Sequence, residues 1–291
     1  MVNIRAIRNR IKSIESTRQI TRTMRMVAAA KLTKTQRSYA ALQAYAAAAR
    51  AMLERLGGAG TASEPLLRPH GTDGKLVYVL VVGNRGLCGT YNAALLKAAE
   101  ELAAAERELP GAADKEISLV VCGRWGREQI AALGFPVLRS FAVSDVPAAE
   151  EAAALAEYLQ ELYLSGAADR IVLLYQSFRS VLSQTPTART LLPLELPEDE
   201  APAFGVLYEP DADSLLHALL EKTLLGSVQA ALLEARAAEH ASRMTAMAAA
   251  SDNTDELIAE LSLKLNHARQ AAITTEIAEI SGGAAALKDH P

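Results

Sequence analysis

A glycine-rich segment, Gly83–Gly89, is the part of the sequence whose composition most nearly suggests ligand chemistry. It follows an apolar run that predicts a strand and precedes a predicted helix, the position at which parallel α/β proteins bind phosphate groups. Its glycines are spaced G-x-x-G-x-x-G, whereas the dinucleotide pattern is G-x-G-x-x-G, and the Lys-Ser/Thr pair of a P-loop is missing. The segment therefore predicts a tight turn, and a small α/β nucleotide-binding enzyme with helical extensions is the alternative interpretation.

The two cysteines, Cys88 and Cys122, are too few for a disulfide framework or a four-ligand zinc site. Cys88 begins a predicted helix, where a thiol pKa is expected to be lowered, but no catalytic base is recognisable near it. The five histidines are scattered along the chain. We therefore expect no catalytic residue, no cofactor and no metal site.

Charge is distributed unevenly along the chain. Residues 1–37 hold ten Lys or Arg and one acid, although the whole chain has a net charge of −4. Such a segment either binds an acidic partner or forms a well-solvated helix. Only 4 % of residues are aromatic, and the isoleucine repeat lies within the basic region instead of after it. No nucleic-acid partner is therefore expected.

The first 55 residues predict one long helix, because no proline or glycine interrupts them after Asn3. Ile4, Ile7, Ile11 and Ile14 have the 3-4-3 spacing of a coiled-coil seam, which we expect to drift through Ile20, Met24 and Val27. Fifty residues of helix are roughly 75 Å long, too long for one globular core. Gly57, Gly58 and Gly60 are expected to end the helix.

The middle of the chain predicts a small α/β domain. Three continuous apolar runs have the composition of strands buried on both faces: Leu76–Val82, Ile117–Val121 and Ile171–Tyr175. Helical segments are expected between and beside them at about 91–108, 125–133 and 147–164. Two further extended pieces, Ser183–Thr187 and Thr190–Leu194, are expected before an exit loop.

A second long helix is predicted from Asp211 to about Ile280, where Gly226 is the only glycine and proline is absent. Ile258, Leu261, Leu265 and Ala268 continue a 3-4-3 seam, and Gly282-Gly283 is expected to interrupt or end the helix. The predicted fold is thus an antiparallel coiled coil of the N- and C-terminal helices with a Rossmann-like α/β domain inserted between them. The expected segments are a helix over 1–56, a linker over 57–74, the α/β domain over 75–207 and a helix over 208–291.

Four blocks of sequence resemble the gamma subunit of F-type ATP synthases, of the bacterial type. They lie in the expected order and together extend over nearly the whole chain. They are Ile11–Leu32, Arg85–Gly89, Tyr208–Pro210 and the pair of segments Arg243–Asn253 and Asn266–Thr274. Ser242, Ala248, Thr275 and Ser281 depart from the family pattern, which weakens individual contacts but not the resemblance.

The resemblance implies a non-catalytic rotor shaft. Its partners would be three alpha and three beta subunits around the coiled coil, an epsilon subunit, and the c-ring of the membrane sector beneath the α/β domain. Ion flow through the membrane sector would turn the ring and the shaft, and so drive ATP synthesis or hydrolysis. The resemblance also implies a peripheral position at the cytoplasmic face of the cell inner membrane. No apolar run reaches the ~18 residues of a transmembrane helix.

The resemblance also implies subunit contacts at particular residues. Met24 and Arg25 match the zone that touches an acidic loop of a catalytic subunit. The basic N-terminal helix would offer five cations to acidic loops of the surrounding subunits: Arg8, Lys12, Arg18, Arg22 and Arg25. Further matching positions are Arg243 and Gln270, with Thr274 beside them, for a beta-subunit loop, and Tyr208 and Glu209 for the region near the ring.

Overall fold

The computed structural model describes residues 4–56, 64–70, 74–108, 115–195, 209 and 211–288. The chain forms two compact units, Met1–Val27 with Ala246–Pro291, and Ala28–Thr245. Both long helices contribute to each unit: α1 runs from Ile4 to Leu56 and α5 from Ala212 to Lys288. The expected segment boundaries at residues 56, 74 and 207 remain a prediction, since the compact units divide both helices instead. Within the described residues, no helix is long and apolar enough to cross a membrane.

The first unit is an antiparallel pair made by the start of α1 and the end of α5. Arg18 contacts Asp255 on the facing helix, and Arg22 contacts both Asp255 and the earlier Ser251. The isoleucines at positions 4, 7, 11 and 14 are half-buried, as the seam predicts. The expected drift through Ile20 and Val27 is wrong, because these side chains are 57 % and 48 % exposed. The small residue Thr21 is buried in this unit instead.

The second unit contains a five-stranded sheet with the order β3-β2-β1-β4-β5. The strands are β1 Lys75–Val81, β2 Glu116–Cys122, β3 Val137–Phe141, β4 Arg170–Phe178 and β5 Gln184–Leu192. All neighbouring strands are parallel except β4 and β5, which are antiparallel. The helices between them are α2 Tyr91–Glu108, α3 Arg127–Ala131 and α4 Ala149–Leu164.

The central strand β1 is covered on both faces, which explains its unbroken apolar sequence. Val77, Val79 and Val81 face a core that contains α4 and the ends of α1 and α5 that belong to this unit. The alternate residues Leu76, Tyr78 and Leu80 face a second core with α2 and α3. The alternation follows from the two-residue period of a strand.

Several sequence expectations need correction. The strand β3 was not expected, since its residues Val137–Leu138-Arg139 are exposed and lack the continuous apolar pattern of the buried strands. The two extended pieces after β4 are parts of one strand, β5. Gly282 lies inside α5 and does not end it. The expected linker is partly packed: Pro65–Leu67 forms a helical turn whose Leu66 is buried.

Candidate functional site

A group of polar side chains joined by hydrogen bonds lies in the second unit, where α5 packs against the carboxyl end of β1. We call Arg236, Glu239, His240 and Arg243 the α5 anchor. The first of them, Arg236, is completely buried. Its Nη1 donates to the Val82 carbonyl at 3.1 Å and to Glu239 Oε2 at 2.5 Å. Its Nη2 donates to Asn84 Oδ1 at 3.2 Å, so the guanidinium joins α5 to the loop after β1.

Glu239 balances the charges of two arginines. Its side chain is 1 % exposed, and its Oε1 accepts a hydrogen bond from Arg243 Nη2 at 2.6 Å. Burial by itself raises the pKa of this carboxyl, but the charges of Arg236 and Arg243 and their hydrogen bonds outweigh burial and lower it. The three side chains thus form a compact ionic group with one net positive charge.

The anchor extends to the loop after β3 and to α1. His240 Nε2 lies 2.8 Å from the carbonyl oxygen of Asp145, and burial lowers the pKa of the imidazole. Because a carbonyl can only accept, Nε2 carries the proton of the neutral ring. The Asp145 carboxylate is hydrogen-bonded to Lys31 of α1 and to Asn84 Nδ2. The Lys31 hydrogen bond is the main reason that the pKa of Asp145 falls to about 2.

The glycine-rich segment is closed by the chain itself. Gly83 N donates to Asn92 Oδ1 at 2.9 Å, and Asn84 N donates to Glu239 Oε1 at 3.3 Å. The carbonyls of Arg85 and Gly86 accept from Arg243 Nη2. In open α/β sheets, ligands bind at the carboxyl ends of strands where the strand order reverses, which here is beside β1. The carboxylate of Glu239 takes the place that a phosphate would need, so the tight-turn prediction agrees with this geometry.

The expectation of a lowered thiol pKa at Cys88 is wrong. Its side chain is 2 % exposed, and burial raises the pKa above its ordinary value. The thiol lies 3.6 Å from the carbonyl oxygen of Arg85, inside the turn. Cys122 is also buried, which raises its pKa to about 12. Both cysteines therefore have packing roles and neither is activated as a nucleophile.

A second contact group holds α5 against β4. Glu234 accepts hydrogen bonds from Ser177 Oγ at 2.6 Å and from the Phe178 backbone N–H at 3.0 Å, and Tyr175 OH lies 3.2 Å away. Tyr91 OH donates to the Ala235 carbonyl at 3.1 Å. These contacts and the anchor fix both the position of α5 and its rotation about its own axis.

Sequence reasoning missed Arg236, Glu239 and Glu234. One signal was present: residues 236, 239, 240 and 243 follow the i, i+3, i+4, i+7 spacing of one helix face and are surrounded by alanines. Charged residues on an otherwise small, apolar helix indicate either a solvated face or a buried ionic group. Only the packing of α5 against the two loops distinguishes these cases.

The structure places the residues implied by the resemblance in separate environments. In the first unit, Met24 is half-buried and Arg25, Gln270 and Thr274 are exposed. Thr274 Oγ1 is hydrogen-bonded to the Gln270 carbonyl at 2.9 Å, a contact within one helix turn. Arg243 belongs to the second unit, where its side chain is only 11 % exposed, so it is not a solvated charge. Its contact with a beta-subunit loop, shared with Gln270, stays a prediction.

The remaining implied contacts are at the foot and on α1. Glu209 is exposed, whereas Tyr208 lies outside the described residues. Arg18 and Arg22 were expected to face acidic loops of other subunits. That contact stays a prediction; within the chain, both are paired to Asp255, at 2.8 and 2.9 Å. Their guanidinium groups therefore stabilise the helix pair of the first unit.

Comparison with known proteins finds relatives that match nearly the whole length of the chain. A family model described as ATP synthase matches residues 3–287. The ATP synthase gamma chain of Moorella thermoacetica is 39 % identical over 290 residues, which cover 99 % of this chain and 100 % of the relative. The gamma chain of Geotalea daltonii is 40 % identical over 291 residues, with the same coverage.

Solved structures share the fold. A chain from the Euglena gracilis mitochondrial ATP synthase (OSCP, F1 and c-ring) matches with a TM-score of 0.66 at 19 % identity, covering 98 % of this chain and 94 % of that one. A chain from the central stalk and c-ring of the Tetrahymena thermophila mitochondrial enzyme matches with a TM-score of 0.60 at 23 % identity. That match covers 80 % of this chain and 99 % of the other.

Proposed function

The chain belongs to the ATP synthase gamma-chain family, and we propose that it works as the central stalk, the rotor subunit of an F-type ATP synthase. In this role it transmits ion-driven rotation of the membrane c-ring to a catalytic hexamer of alpha and beta subunits. The observation that carries the proposal is that α1 and α5 each contribute to both compact units, while α5 is fixed to the α/β sheet by a buried ionic group. Torque applied to the sheet would therefore act on α5, a helix that also contributes to the helix pair of the first unit.

The subunit itself is non-catalytic in this proposal. The backbone donors Gly83 N and Asn84 N, which would receive a phosphate, are bonded to Asn92 and Glu239. The thiol of Cys88 is buried with a raised pKa. ATP chemistry accordingly takes place on partner subunits, and this chain biases their conformations through discrete rotor positions.

Exposed apolar side chains in the first unit supply a surface for those partners. Ile273, Ile277 and Ile280 are 44 %, 59 % and 66 % exposed on α5, and Met26 is 62 % exposed on α1. Exposed large apolar residues grouped on one element mark interaction surfaces. We propose that the alpha and beta subunits surround this surface, with Met24, Arg25, Gln270 and Thr274 among the contacting residues.

The second unit has proposed contacts of its own. We propose that Tyr208 and Glu209 lie near the c-ring and the epsilon subunit, and that the whole complex is peripheral at the cytoplasmic face of the cell membrane. Arg243 belongs to the α5 anchor, where its guanidinium donates to Glu239 and to two loop carbonyls. We also propose that it contacts a beta-subunit loop, together with Gln270.

Co-purification tests the stalk assignment. An affinity tag on this chain in its native host should recover a large complex that hydrolyses ATP and contains three copies each of two larger partners per tagged chain. A folded monomer under gentle conditions would contradict the rotor role. Tight nucleotide binding by that monomer would support the enzyme alternative.

The contact residues need a separate test in the reconstituted complex. Arg25→Ala and Gln270→Ala should reduce ATP-driven rotation or its coupling to ion transport without dissociating the complex. Lys264→Ala is a matched control, because Lys264 is exposed in the same unit and is paired with Glu260, one turn away on the same helix. An equal defect in the control would remove the case for specific contacts at Arg25 and Gln270.

A further inference from the structure

A cavity of about 550 Å³ lies within the second unit, between α1, β5 and α5. None of the polar groups in the α5 anchor lines it. Its principal walls are formed by Tyr45, Leu53, Arg189, Leu191, Lys222 and Gly226. The volume is within the range of small-molecule sites in proteins.

The floor of the cavity is formed by apolar side chains that are packed into the core. Leu53 and Leu191 are 6 % and 2 % exposed and belong to the main core of the unit. Leu194, from the residues that follow β5, adds a further apolar wall. This floor offers a dry surface to the hydrocarbon or aromatic part of a ligand.

Gly226 keeps the wall on α5 open. It lies in the interior of a helix, where glycine is less favourable than alanine. A Cβ added at this position would meet no atom within 4 Å. A side chain at this position would therefore not clash with the rest of the protein. The effect of glycine here is to leave extra space in the cavity.

The charged groups around the cavity are mainly cationic. Arg50, Arg189 and Lys222 line it, against one carboxylate from Glu195. Arg50 is already paired with Glu54, with Nε and Oε1 at 3.1 Å. Within the described part of the chain, Arg189 and Lys222 have no ion pair, and both are exposed. Two cations are thus free to bind an anion at the edge of an apolar floor.

We propose that this cavity binds an amphipathic organic anion. Its carboxylate or phosphate lies between Arg189 and Lys222, and its apolar part lies on Leu53 and Leu191. The guanidinium of Arg189 suits a planar or tetrahedral oxyanion because it donates in a fixed fork, and the ammonium of Lys222 adds a compact charge. The site goes beyond the stalk function and does not depend on it.

Three probes separate the two parts of the proposed ligand. Decanoate has both the charge and the apolar chain, inorganic phosphate has only the charge, and decanol has only the chain. In ligand-observed NMR titrations of the full-length chain, decanoate should bind with a dissociation constant of about 1 mM. Phosphate and decanol should each bind at least about tenfold more weakly, since each lacks one half of the interaction. Equal binding by either one, or no binding of decanoate, overturns the proposal.

Variants locate the site. The double variant Arg189→Gln, Lys222→Gln should weaken decanoate binding at least about tenfold by removing two charge-assisted contacts. Gly226→Leu should weaken it similarly by filling the cavity. Lys97→Gln is the control, because it removes an exposed cation from α2, far along the chain from the cavity walls.

The folding of each variant is checked by its circular dichroism spectrum. If Gly226→Leu fails to fold, the charge variants decide the outcome, because their side chains are exposed and do not support the core. Retention of full decanoate affinity in the folded double variant, or an equal loss in Lys97→Gln, overturns the assignment of the cavity.

Discussion

The backbone N–H of Asn84, at the carboxyl end of β1, donates to the carboxylate of Glu239 on α5 at 3.3 Å. A residue from the last helix thus occupies the anion position of the first strand–helix turn. The same carboxylate forms ion pairs with Arg236 and Arg243. The crevice in which other α/β sheets bind ligands is thus filled here by the chain's own helix. This contact attaches the part of α5 in the second unit to the sheet.

Replacing the central carboxylate should be strongly destabilising. Glu239→Gln leaves the fully buried Arg236 without its neutralising partner, and breaking a buried ion pair on one side costs about 3–5 kcal/mol. Urea denaturation of the full-length chain measures the loss. Glu101→Gln is the control, because Glu101 forms an exposed pair with Lys97, and exposed pairs contribute only about 0–1 kcal/mol. If Glu239→Gln lowers the free energy of unfolding no more than Glu101→Gln does, the buried ionic role of Glu239 is refuted.

Two glycines near the strand ends should respond differently to alanine. Gly123 has φ +128°, and a Cβ there would lie 2.4 Å from the Val82 carbonyl oxygen. Gly123→Ala should therefore cost about 2–3 kcal/mol through backbone strain. A Cβ added at Gly86 would meet no atom within 4 Å, so Gly86→Ala should change stability by less than about 0.5 kcal/mol. Thermal unfolding of both variants gives the comparison, and a large loss at Gly86 would contradict the open space found for its added Cβ.

Gly226→Ala should stabilise the chain. Helix-interior glycine is less favourable than alanine by about 0.5–1 kcal/mol, and the added methyl group meets open space. The midpoint of thermal unfolding should rise. Gly134→Ala is a useful contrast, because Gly134 also has open space but a positive φ of 75°, so its alanine variant should lose stability. A loss at Gly226 would mean that the cavity wall is closed in solution.

The Asp145 contact predicts a defined pH dependence. Its folded pKa of about 2 lies below the ordinary value, mainly because of the Lys31 hydrogen bond. A lowered carboxyl pKa stabilises the folded state above the unfolded pKa of about 3.9, and this contribution is lost as the pH falls through the folded pKa. With allowance for solvent screening, Asp145→Asn should cost about 1–2 kcal/mol at pH 7.

The difference between wild type and Asp145→Asn should shrink as the pH falls from about 4 to about 2. Urea unfolding at several pH values measures it. Asp252→Asn serves as the control, because Asp252 is an exposed carboxylate on α5. A wild-type advantage that stays constant down to pH 2 would contradict a lowered pKa at Asp145.

The Asp255 contact in the first unit should be weaker than the buried anchor. Asp255→Asn removes the partner of both Arg18 and Arg22, but all three side chains are at least 32 % exposed. The loss of stability should be smaller than for Glu239→Gln and should decrease with added salt, because salt screens exposed charges. Unfolding at low and high salt tests this. A salt-independent loss would instead place the contact in a dry interface.

Much of this fold was determined by the sequence alone. The absence of proline and glycine predicted both long helices, and unbroken apolar runs predicted β1, β2 and β4, because burial on both faces leaves no polar positions. The edge strand β3 was missed because its solvent-facing residues have no such constraint. Similarly, the spacing of the isoleucines identified the start of the seam, whereas its continuation at Thr21 depended on the facing helix.

The candidate site was decided by tertiary structure. The sequence shows that charges 236, 239, 240 and 243 share a helix face, and that the loop after β1 does not follow a nucleotide pattern. The sequence does not show that this helix face contacts the loop after β1. Asn84 and Glu239 are brought together only when α5 packs on the sheet. Local spacing determines which side chains share a face, because it depends on the helix period alone. Whether that face meets solvent, a ligand or a loop of the same chain depends on contacts between residues distant in sequence.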